Sequence, residues 1–164
     1  MTSLEAVFRI ANFGAVIAWI VLAVAAVLNW RRGLERFCGG FVPLLLAVAY
    51  LVLIVTHWSG APVDFGSLAG VGAMFRQPQV MLAGWLHYLA FDLLIGVMVV
   101  ERFLEDRMPR ILLVPVLPLL FFFGPAGWLL FQAIRFARRE GTAARPAARS
   151  PATRPAAARA KKSA

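Results

Sequence analysis

Four stretches of this chain are apolar enough and long enough to form helices in lipid: residues 7–29, 41–58, 79–100 and 111–134. At a rise of about 1.5 Å per residue, about 20 mainly apolar residues cross the hydrocarbon core of a bilayer. None of the four alternates apolar with polar side chains as a membrane barrel does, and a backbone in lipid is satisfied only in a helix or a closed barrel. The pattern predicts an all-α protein: a four-helix transmembrane bundle over residues 1–138, followed by a disordered Arg/Ala/Pro-rich tail over 139–164. The connection 59–78, rich in Gly and Ala, is expected to be a flexible or partly re-entrant link.

The third stretch breaks its own apolar pattern. Leu82-Ala83-Gly84-Trp85-Leu86-His87-Tyr88-Leu89-Ala90-Phe91-Asp92-Leu93 holds an imidazole, a phenol and a carboxylate where lipid tolerates such groups poorly. A carboxylate at mid-bilayer costs about 2.5 to 3.5 kcal/mol on insertion scales, so its default position is a protein interior or a wet cavity. At about 100° per residue, Trp85, Tyr88, Asp92 and Gly96 share one stripe, which should face the bundle. His87 lies about 140° round the helix from Asp92, so the two form no stacked pair, although a cavity between neighbouring helices could be lined by both.

The fourth stretch is interrupted by Pro115, Pro118 and Pro125. Each proline removes a backbone donor, which frees the carbonyls of Ile111, Val114 and Phe121. Phe123-Gly124-Pro125-Ala126-Gly127 is therefore the expected kink, beside the polar stripe of the third helix. Asn12, His57, His87 and Gln132 are expected towards one face of the membrane, with Asp92 near its middle. Trp30, Trp58 and Trp128 are expected to anchor helix ends at the interface.

Composition removes the soluble alternatives, since 61% of the 164 residues are hydrophobic and only 15% charged, with a mean hydropathy of +0.76. Ala23-Val24-Ala25 imitates a signal-peptide cleavage site, but the apolar run before it is too long and Arg31-Arg32 ends it as an anchor ends. Cys38, the single cysteine, forms no internal disulfide. Of the 17 basic residues behind the net charge of +9, nine lie at or beyond the end of the last stretch. With no aromatic residue among them to stack on bases, they give no support for nucleic-acid binding, and membrane lipid is the expected partner.

Arginine bias sets the orientation of membrane helices. Residues 31–40 and 101–110 carry three arginines each on one face, while the other face carries only Arg9 and Arg76. A tail leaving a fourth span would emerge on that second face with its own basic residues. The two signals conflict as long as all four stretches cross. Oligomeric state is not encoded in these patterns.

Pro78, the run from Leu82 to Leu93 with Gly96, Pro109, Pro115 and Phe123-Gly124-Pro125-Ala126-Gly127 together resemble the abscisic-acid-deficient-four-like membrane family. The similarity covers about residues 5–135, and Val97-Met98 stands where the family carries an aromatic. The resemblance implies an isomerase of epoxy-carotenoids, which opens the epoxide and removes a ring-adjacent proton to leave an allene and an alcohol. That chemistry needs an acid and a base but no redox cofactor and no metal. Asp92 as proton donor and His87 as base, or the two roles exchanged, are the expected pair, with Tyr88 the group holding the oxygen. Trp85, Phe91, Gly96, Gly124 and Pro125 are the expected substrate contacts. A non-catalytic scaffold, or a lipid- or pigment-binding protein, is the alternative. With no plastid-targeting pattern, a bacterial inner membrane is the expected location.

Overall fold

The computed structural model of the chain describes residues 3–58 and 64–143. Among them, every regular element is helical. Helix α1 (Ser3–Leu28) is followed by a π-helical stretch, Gly33–Phe41, that runs directly into α2 (Val42–His57). The short α3 (Leu68–Phe75), the long α4 (Pro78–Glu105), α5 (Leu113–Phe122) and α6 (Gly124–Ala143) complete the order. Three segments are long and apolar enough to cross a membrane, Ser3–Leu28, Gly33–His57 and Pro78–Glu105. Large apolar side chains such as Ile10, Phe13, Leu44 and Val55 lie on the outer surface, which suits a membrane protein surrounded by acyl chains.

Small residues set the packing. Helix α1 buries Ala11, Ala15, Ala18, Leu22, Ala25 and Ala26, a spacing that lets a neighbouring backbone come close. On α4 the counterpart is Gly96, where an added Cβ would lie 2.9 Å from both Leu22 and Trp19. Two helices end in the same way. Asn29 and Arg107 take left-handed backbone conformations, and Trp30 N–H donates to the Ala25 carbonyl and Met108 N–H to the Phe103 carbonyl, both at 2.9 Å. This is the Schellman closure of a helix C-terminus.

The structure departs from the sequence expectations at several points. Residues 31–40 are not a loop, because the second helix starts at Gly33 and its buried face, Gly33, Leu34 and Cys38, docks on α1 through a Cys38 bond to the Ala18 carbonyl, 3.3 Å. The connection 59–78 contains α3, whose N-cap Ser67 accepts from Gly70 N–H at 3.0 Å. Asp64 accepts from the Ser67 hydroxyl and from Gly66 N–H, and these bonds, the Ser67 one first, hold its carboxyl below the usual carboxylate range. Residues 59–63 lie outside the described residues, and so does the expected disordered tail beyond 143; helix α6 runs five residues past the expected boundary at 138.

The largest correction concerns the fourth span. Residues 111–134 do not form one crossing helix but the ten-residue α5 and the first half of α6, which fold back on each other around Phe123, whose φ of −144° and ψ of 68° break the helix. Helix α5 starts where α1 and α4 end: the Arg110 guanidinium donates to the Val27 carbonyl. It rises about 15 Å over its ten residues to place Phe121 edge-on to Trp19, with centroids 5.5 Å apart. Helix α6 then returns to the same end, where Phe131 packs on Phe103 at 5.4 Å and Arg135 pairs with Asp106 at 3.0 Å. Gly127 makes the close approach possible, since a Cβ there would lie 2.4 Å from the Leu120 backbone nitrogen. The bundle is thus three long helices with an inserted helical hairpin. Gln132 consequently sits at the opposite end from Asn12, and Trp128 lies inside α6, partly buried against Phe131, rather than at a helix end.

Candidate functional site

The hairpin tip meets α4 at Asp92, the fifteenth residue of a helix of 28. The residue is only 8% exposed. Gly124, the first residue of α6, lies directly against it, for a Cβ there would be 2.5 Å from Oδ1 and 3.0 Å from Oδ2. Asp92 Oδ2 is, among the described residues, the buried side-chain oxygen left without a hydrogen-bond partner. Such an atom costs about 1–3 kcal/mol.

Tyr88, one turn earlier, supplies the connection. Its hydroxyl donates to the carbonyls of Phe121 at 3.2 Å and Phe122 at 3.3 Å, and it also interacts with the Asp92 carboxyl. The Phe121 carbonyl is available because residue 125 is proline and has no N–H to offer it. A phenol has one proton to give, so two carbonyls and a carboxyl compete for it.

From Tyr88 the site opens outward into a cavity of about 790 Å³ between α1, α3 and α4. Phe8, Phe75, Trp85 and Tyr88 give it aromatic walls, Leu4, Met81 and Leu82 add aliphatic surface, and Glu5 lies at its lining. Trp85 stacks on Tyr88 at 5.2 Å and faces Phe8 at 6.1 Å, while Phe75 of α3 closes over Gly84. Trp85 is fixed by donating its indole N–H to Asn12 Oδ1 at 3.0 Å, and Asn12 in turn donates to the Phe8 carbonyl at 2.8 Å.

The sequence-derived residues fall into two groups. Trp85, Tyr88, Asp92, Gly96 and Gly124 line one continuous face where α4 meets α1 and the hairpin. His87 and Phe91 lie on another face of α4, where the two rings stack at 4.5 Å and His87 also meets Tyr50 of α2 at 5.8 Å. Both are exposed at the protein surface, and so is Pro125. The structure therefore does not bring His87 to Asp92. Asn12, Phe8 and Phe75 join the site beyond the residues expected from sequence; of these only Asn12 carried a signal, as a polar group in an apolar stretch.

Residues 6–131 match the family model described as ABA DEFICIENT 4-like. The chain belongs to that family. No curated protein matches the chain, and no solved structure does. The matched segment takes in α1 to α5 and the first turns of α6, so the family unit contains Asp92, Tyr88 and the complete hairpin tip.

Proposed function

We propose that this ABA DEFICIENT 4-like membrane protein is a multi-pass protein that binds an isoprenoid lipid of the carotenoid class in the aromatic cavity and isomerises it without a cofactor. One observation carries the reading: a buried carboxyl with an unpartnered oxygen, joined through a tyrosine hydroxyl to a cavity walled by flat apolar rings. Stacked aromatics suit a ring or polyene, and binding groups buried in a dry site act on charge more strongly than they would in water.

The proton chemistry closes on Asp92 alone. With the epoxide oxygen drawn in beside Tyr88 at the inner end of the cavity, a protonated Asp92 gives its proton to that oxygen as the carbon–oxygen bond breaks; the resulting carboxylate then takes the proton from the adjacent carbon, whose electrons form the new double bond. The product is an isomer, and Asp92 regains its starting state. Tyr88 orients the oxygen by a hydrogen bond. His87, on a different face, is not required, which changes the role the sequence suggested for it.

The test is conversion of a supplied epoxy-xanthophyll in membranes containing the wild type, Asp92→Asn or Tyr88→Phe, with protein levels compared by blotting. Asp92→Asn should abolish conversion, and Tyr88→Phe should lower it by about 100-fold, the lower end of the usual range for positioned acid–base groups. Conversion retained in Asp92→Asn would remove the proposed proton carrier. Pigment bound by the wild type but never converted would assign the cavity to binding.

A further inference from the structure

A second cavity, of about 450 Å³, runs between α1 and α5, with no α4 residue in its lining. Its walls are apolar, with Trp19, Ala23 and Val27 on one side and Leu117 and Phe121 on the other. A single charged residue, Arg110, lies at its mouth. The groove follows α1 from Val27 to Val16, a rise of about 17 Å. Half of a bilayer's hydrocarbon core is about 15 Å deep, so the groove reaches from the headgroup level to mid-membrane.

We propose that this groove holds one acyl chain of an anionic phospholipid, with the lipid phosphate on Arg110. The occupant follows from charge and length together. A guanidinium carries five N–H donors matched to phosphate oxygens, and its bond to the Val27 carbonyl leaves capacity for a phosphate. A neutral polyene has no use for that charge. The inner end of the groove is Phe121 and Phe122, whose carbonyls accept from Tyr88, so a seated chain braces the hairpin tip against the site.

The experiment is native mass spectrometry of the full-length chain in detergent, titrated with dioleoylphosphatidylglycerol and, separately, with dioleoylphosphatidylcholine. The wild type should hold one phosphatidylglycerol more tightly than phosphatidylcholine by about fivefold, equivalent to about 1 kcal/mol for one basic residue near the surface. Arg110→Gln should remove that preference, while Arg36→Gln, an exposed arginine at the same end of the bundle, should preserve it. Ala23→Leu fills the groove and should weaken both lipids, with unchanged helicity by circular dichroism; it decides the matter if Arg110→Gln misfolds. Equal binding of the two lipids to the wild type, or an undiminished phosphatidylglycerol load in Ala23→Leu, would overturn the proposal. So would cross-linking of Ala23→Cys to a second copy of the chain, which would make the groove a self-association surface. None of these outcomes depends on pigment conversion.

Discussion

Gly124 stands where any side chain would collide with the Asp92 carboxyl, and the glycine is there for room. A methyl group at 124 would sit 2.5 Å from Asp92 Oδ1, a distance that forces either the carboxyl or the hairpin tip to move. Gly124→Ala should therefore lower thermal stability in detergent by about 1–3 kcal/mol, the usual cost of overpacking, and reduce activity with it. Gly72 of α3 has nothing within 4 Å of an added Cβ, so Gly72→Ala should be neutral or slightly stabilising. Equal effects of the two substitutions would contradict the close packing at the tip. Asp92 was legible in the sequence because a carboxylate in an apolar run needs shelter. His87 has the same signal and a different outcome, since its ring lies along Phe91 and Tyr50 on the outer face, and residue type alone does not say which neighbour a helix face receives.

At the scale of elements, the hairpin of α5 and α6 separates this protein from a plain four-helix bundle. The sequence made the break visible through Pro125 and its two flanking glycines. It did not make visible which way the chain turns after the break, because hydropathy is the same for a helix that crosses and for two that return. The direction is fixed by distant contacts: Gly127 on the Leu120 backbone, Phe131 on Phe103 and Arg135 on Asp106. Gly127→Leu should splay the pair, since backbone cannot yield as a flexible side chain does. In a Cys38→Ser background, cysteines placed at 106 and 135, where the long arginine side chain now spans the gap, should be bridged by a short bifunctional maleimide, and Gly127→Leu should reduce that yield several-fold. An unchanged yield would show that the close approach does not hold the hairpin together.

For the whole molecule, the hairpin removes the conflict in the arginine pattern. Arg31, Arg32 and Arg36 lie at the end of the bundle where α1 ends and α2 begins, Arg102, Arg107 and Arg110 where α4 ends, and Arg135 and Arg138 where α6 returns. Arg9 and Arg76 are at the other end. With three helices long and apolar enough to cross instead of four, the loop arginines and Arg135 and Arg138 of α6 lie at one end of the bundle, which the arginine bias predicts to face the cytoplasm. The most direct test of this arrangement is labelling of intact cells with a membrane-impermeant maleimide, using single cysteines at Ser67, Arg107 and Arg138 in the Cys38→Ser protein. The fold predicts that position 67 labels from outside while 107 and 138 label only after the membrane is opened; position 138 labelling together with 67 would mean that the last segment crosses the membrane and that no hairpin tip reaches Asp92.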